Sequence, residues 1–140
     1  MKDVISTAVG VAAGMVSWLI GGFDTPVLAL IVCMAVDYIT GLIVAGVFHS
    51  SPKTAGGGLD SHVGWAGLAR KCVTLLLVVV ANLADVLLSQ CCIRDAVVIG
   101  FCSNECLSIL ENAGRMGIRI PDVLSGALEK LSGEGSHDGD

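Results

Sequence analysis

The longest apolar run in the chain covers residues 26–48, and a carboxylate, Asp37, sits in its middle. About 20 helical residues rising 1.5 Å each cross a hydrocarbon core of about 30 Å, so this run is long enough to span a bilayer. A central acid costs roughly 2.5–3.5 kcal/mol on insertion scales. The run's twelve Val, Leu, Ile and Phe residues each contribute about 0.3–0.6 kcal/mol in the other direction. The helix is therefore expected to insert with Asp37 inside it, and an intramembrane acid is a candidate functional group. Three more apolar blocks lie at residues 4–20, 72–88 and 96–110. The last holds Asn104-Glu105 and only seven strong apolar residues. Their contribution of about 2–4 kcal/mol roughly cancels the cost of the acid, so partner helices must decide whether this block inserts. The pattern predicts an all-α integral membrane protein of about four transmembrane helices.

Polar residues inside these blocks fall on particular faces. Asp37, Thr40, Gly41 and Ala45 share one side of the second helix, opposite Leu, Ile and Val. Thr40 can bond back to its own helix or across to a partner. Two readings of Asp37 stand. It packs against Asn82 or another donor inside the bundle, or its face lines a protein–protein seam that becomes wet. Asn82 and Asp85 lie one turn apart on the third helix. In the fourth block Gly100, Asn104, Ser108 and Asn112 form a stripe, flanked by Glu105 and Glu111. A polar stripe on a marginal span faces other helices or water. The first block carries Ser6, Gly10, Gly14, Ser17 and Gly21 at steps of three and four. This is either a helix-packing stripe, within or between chains, or ordinary glycine enrichment in a membrane helix. A cleaved signal peptide is the rival reading of 4–20, but no small-x-small cleavage site follows it.

Residues 49–68 read as a loop, because Ser50-Ser51-Pro52-Lys53 and Gly56-Gly57-Gly58 hold no regular element. No strand precedes the triple glycine and no Gly-Lys-Ser follows it, so a phosphate cradle is not indicated. His49 and His62 read as solvated, and Trp65 as an interfacial anchor. Arg70-Lys71 then opens the third span. Gly114 and Gly117 stop the last apolar helix. Pro121-Asp122 starts a short amphipathic helix with Leu124, Leu128 and Leu131 on one side. Residues 132–140 are rich in glycine and acids and should be disordered. The division is a transmembrane domain over 1–112 and a tail over 113–140.

Composition agrees with this pattern. The chain is 54% hydrophobic and 15% charged, against about 25% charged for a soluble domain. Much of the net charge of −5 sits in the final dozen residues. There is no basic stripe for nucleic acid. Cys102 and Cys106 share a helix face without a nearby histidine, so zinc lacks half its usual ligands. Cys33 and Cys72 read as small apolar residues. Cys91-Cys92 lie in a short loop, open to oxidation in an oxidising compartment. No nucleophile–base pair, metal set or cofactor motif is present, so an enzyme is not expected. With four spans, Lys2, Lys53, Arg70, Lys71, Arg115, Arg119 and Lys130 share one side and Arg94 stands alone on the other. The positive-inside rule then puts both termini in the cytoplasm. Three spans would split the eight basic residues evenly, so the charges favour four.

These residues also carry a family likeness. Over about residues 30–131 the chain resembles the toxin-secretion/phage-lysis holins. The marks are Asp37-Tyr38-Ile39-Thr40-Gly41 with Ala45, then Ser50-Ser51, then Gly67 with Arg70-Lys71. The most specific is Asn104-Glu105-Cys106-Leu107-Ser108-Ile109-Leu110-Glu111-Asn112, followed by Gly117, Ile120-Pro121 and Leu124. The resemblance implies a non-enzymatic, multi-pass protein of the bacterial cytoplasmic membrane. It would accumulate, form homo-oligomers and open lesions at a set time. An endolysin, or in some relatives a toxin, would then cross, and an antiholin is a possible partner. The chain departs from the pattern in its long glycine-rich 49–71 segment and its acidic end. The alternatives are a small ion or proton channel or transporter subunit with Asp37 and Glu105 as a relay, and an antiholin or membrane scaffold.

Overall fold

The computed structural model describes residues 1–133. Among them the regular elements are all helices: α1 (Lys2–Ile20), α2 (Thr25–Gly46), α3 (Ser61–Leu88), α4 (Ile93–Arg115) and α5 (Asp122–Gly133). The helix ends follow from local chemistry. Gly21 and Gly22 take φ of 82° and 102°, a left-handed exit that suits residues without a Cβ. Asp24 then accepts from the Val27 amide at 3.3 Å, and Pro26 occupies the first turn of α2. Asp60 caps α3 by accepting from the amides of His62 (2.8 Å) and Val63 (3.4 Å). α4 is capped from a distance: Asp85, near the end of α3, accepts from the amides of Ile93 (3.0 Å) and Arg94 (2.8 Å).

α4 is the central element, packed against α2, α3 and α5, while α1 lies against α3. Cys33 meets Cys106 and Asp37 meets Asn112, so α2 and α4 run parallel. α3 runs antiparallel to both. The core joins Ile20, Val27, Leu30, Met34, Val78 and Val98, with Leu75, Phe101 and Cys102 packed on it. It lies toward the end where α1 turns into α2 and α3 into α4.

Most other large apolar residues point outward, among them Ile5, Val9, Val32, Ile39, Leu76, Val80 and Leu87. An apolar exterior on a bundle whose backbone bonds are closed within helices suits lipid rather than water. α1, α2 and α3 are each long and apolar enough to cross a membrane. The protein is membrane-embedded and multi-pass. α4, the fourth expected span, has 23 residues but is not among the helices that meet this measure of length and apolarity.

Two sequence expectations change. The third helix starts at Ser61, so the connection after α2 closes at residue 60 and the expected 49–68 loop is too long. Gly64 and Gly67 lie within α3 as contact points: a Cβ on them would lie 3.6 Å from the Tyr38 hydroxyl and 3.8 Å from its ring. Consequently Arg70-Lys71 lie well inside α3 and do not open it. α5 covers Asp122–Gly133, and in it Leu128 is buried while Leu124 is exposed. The expected disorder of 132–140 falls, from residue 134 onward, outside the described residues.

Candidate functional site

Asp37 lies twelve residues into α2, about 18 Å from its start at 1.5 Å per residue. An unpaired carboxylate there would face hydrocarbon. Instead the Lys71 ammonium reaches across from α3 and donates to Asp37 Oδ2 at 2.8 Å and to Glu105 Oε2 of α4 at 2.5 Å. The three side chains are only 12–13% exposed. One ammonium between two carboxylates satisfies both but leaves one formal negative charge. The remaining acceptor capacity of Asp37 is met from α4. Asn112 Nδ2 donates to Asp37 Oδ1 at 3.3 Å and to Thr40 Oγ1 at 2.9 Å. Thr40 in turn donates to the Asp37 carbonyl at 3.0 Å. Ser108 of α4 lines the same cleft as Asp37. Gly41 faces the Asn112 amide: a Cβ on it would lie 3.8 Å from Asn112 Nδ2, an ordinary van der Waals contact.

A second polar cluster closes the other end of the bundle. Arg94 donates to the Gly21 carbonyl at 2.6 Å, to Asp95 at 2.7 Å and to Asp24. Asn82 donates to the Leu19 carbonyl at 3.0 Å. These bonds satisfy the carbonyls that end α1 and tie the α1–α2 turn to α3 and α4. Gly21 is required here twice over. Its φ is positive, and a Cβ would overlap Asn82 Oδ1 and lie 2.7 Å from Arg94 Nη1.

The sequence-derived candidates therefore separate. Asp37, Thr40, Gly41, Glu105, Ser108 and Asn112 converge on the midpoint of the bundle. Asn82 and Asp85 belong to the far end, so Asn82 is not the partner of Asp37. Asp85, expected near the interface, is 8% exposed and serves as a helix cap. Asn104 is exposed and lines the cleft beside the ion-paired residues, while Glu111 is exposed at the surface. On α1, added Cβ atoms at Gly10 and Gly14 would meet nothing within 4 Å, so no intrachain contact uses them. Ser17 borders a shallow depression with Gly14 and Asn82. Lys53 and Arg70 line the cleft between α2 and α3; Arg115 and Arg119 are exposed.

The residue that sequence reasoning placed wrongly is Lys71. Apolar Val63, Trp65, Ala66, Leu68 and Ala69 upstream of it extend the helical pattern, and that signal would have moved the start of the span. Two other features went unread. Tyr38 lies across Gly64 and Gly67, and the Cys33 and Cys106 thiols stand 3.7 Å apart at the α2–α4 seam.

Comparison with known proteins bears on this arrangement. The profile described as the bacteriophage holin family matches residues 14–133. An uncharacterized protein of Halalkalibacterium halodurans is 33% identical over 97% of this chain and 99% of its own length. An uncharacterized protein of Listeria monocytogenes is 37% identical over 79% of this chain and 74% of its own. A protein of Bacillus phage phi105 named "Probable holin" is 32% identical over 75% of this chain and 73% of its own. No solved structure matches.

Proposed function

Because this chain belongs to the bacteriophage holin family, a membrane-permeabilising and non-enzymatic class, we propose that it oligomerises in the bacterial cytoplasmic membrane and opens timed lesions. An endolysin, or a secreted toxin, then crosses to the cell wall. The supporting observation is the Lys71–Asp37–Glu105 ion-paired set. It pairs the mid-helix carboxylates of α2 and α4 with one ammonium from α3 within a single molecule. A lone chain can therefore enter the bilayer with its polar faces turned inward. Water-lined lesions need those same faces turned outward. As subunits gather, helices exchange intramolecular ion pairs for water and neighbouring chains, and the desolvation of the charged groups is relieved. Assembly of this kind is cooperative, since each added subunit relieves more buried polar groups.

The reading includes four spans with both termini cytoplasmic. α4 crosses on the strength of its contacts with α2 and α3, which supply partners for Glu105 and Asn112. The open Gly10–Gly14 face of α1 is available to a second copy of the chain.

Inducible expression in a bacterium, with and without a co-expressed endolysin, tests this. The expected outcome is abrupt loss of viability at a reproducible time, with release of a cytoplasmic enzyme of endolysin size. Ion leakage with the enzyme retained would replace the reading with a small channel. No effect, with the protein confirmed in the membrane, would favour an antiholin or scaffold.

A further inference from the structure

Among the described residues α2 and α4 make the most extensive helix contact. Cys33 and Cys106 face each other across it, with their sulfurs 3.7 Å apart. A disulfide bond is about 2.05 Å long, so about 1.7 Å remains to close, which rotation at the two Cβ atoms supplies. Both thiols are half-buried, as is Cys102 one turn before Cys106, whereas Cys72, Cys91 and Cys92 are exposed. The pair sits beside the ion-paired residues: Cys33 is one turn before Asp37, and Cys106 follows Glu105 directly. At 1.5 Å per residue, Cys33 lies about 12 Å along α2 and Cys106 about 20 Å along α4. With both helices spanning, the thiols are inside a hydrocarbon core of about 30 Å. Charged thiol reductants are excluded from that layer by the cost of desolvating them, and neutral lipid-soluble oxidants are not.

We propose that Cys33 and Cys106 are a redox-sensitive latch, oxidised by a quinone dissolved in the membrane to a disulfide that fastens α2 to α4. Two S–H bonds break and one S–S bond forms. The two electrons and two protons pass to the quinone, which leaves as the quinol. The bond joins residues 73 positions apart, and closing a loop of that length stabilises the folded chain. It also holds together the two helices whose polar faces must turn outward in a lesion. The effect on lesions rests on the function proposed above; the bond itself does not.

The test uses the full-length chain with Cys72→Ala, Cys91→Ser and Cys92→Ser, which keeps Cys33, Cys102 and Cys106. The protein in lipid vesicles is exposed to decylubiquinone, a fully substituted quinone that thiols do not add to, and its disulfides are mapped on peptides. A Cys33–Cys106 bond within one chain is expected, with a thermal unfolding midpoint in detergent raised by roughly 10 °C. In cells, diamide, a neutral oxidant that likewise takes up two electrons and two protons, should delay enzyme release. The same chain with Cys33→Ser should show no delay. Absence of the bond, a Cys33–Cys102 bond, or cross-links only between chains would overturn the proposal. A Cys33–Cys106 bond that leaves both the unfolding midpoint and the onset of release unchanged would overturn it too. Enzyme release from neither chain, with the bond formed and the midpoint raised, would count against the proposed function and leave the latch standing.

Discussion

Lys71 stands between two carboxylates that belong to different helices, and this sets how each of the three residues responds to substitution. Asp37 and Glu105 are visible in the sequence as acids inside apolar blocks. Their shared partner is not, because Lys71 precedes the most apolar part of α3 and so looks like an interfacial charge. Lys71→Met leaves two buried carboxylates facing one another without a cation. Loss of one member of a buried pair costs about 3–5 kcal/mol, and the expected result is a large fall in unfolding free energy in detergent. Asp37→Leu is expected to destabilise less, since Lys71 keeps Glu105 as a neutral pair. The reverse order of the two variants would show that the ion pairs do not hold the helices. Gly21 is the other residue whose role needed the structure. Its sequence context suggested helix packing, whereas its contacts are with Asn82 and Arg94.

At the level of helices, the apolar blocks announced the four long helices, and turn residues placed their ends within a few positions except at α3. The loop expected from Ser50-Ser51-Pro52-Lys53 and Gly56-Gly57-Gly58 was carried past Asp60, which caps the helix. Gly64 and Gly67 lower helix propensity, yet they lie inside α3 and face Tyr38. Composition alone does not separate these roles; knowledge of the facing helix does. The contact gives a prediction for the α2–α3 seam. Alanine at Gly64 adds a Cβ at 3.6 Å from the Tyr38 hydroxyl, an ordinary van der Waals distance, and should be tolerated. Leucine does not fit without displacing Tyr38, so Gly64→Leu is expected to separate α2 from α3 and weaken the Lys71 bonds. Thermal unfolding in detergent distinguishes the two, and equal stability of both variants would contradict the packing. The contact between α2 and α4 was illegible for a different reason. It joins residues more than seventy positions apart, such as Cys33 and Cys106.

For the whole molecule, the exterior is apolar and the charges are paired inward or gathered at the ends, as a lipid-embedded bundle requires. The same basic residues that orient the chain in sequence are not equal in space. Lys71 is internal, while Arg94, the single basic residue expected on the far side, is anchored to Asp24, Asp95 and the end of α1. Discounting Lys71 still leaves six basic residues on one side against Arg94, so the proposed orientation survives the correction. It places the turn at residues 89–92 outside the cell, and Cys91 and Cys92 in that turn are exposed. A membrane-impermeant maleimide should therefore label them in intact cells. Labelling only after the membrane is permeabilised would invert the topology or remove a span.

The central claim is that the ion pairs closed within one molecule are opened when lesions form. The most direct measurement is the onset of enzyme release in cells expressing Asp37→Leu, compared with the unaltered chain at matched amounts in the membrane. The account expects normal membrane insertion with an onset that is clearly shifted or absent. An unchanged onset would mean that Asp37 has no part in the transition, and the mechanism proposed for the lesion would fall with it.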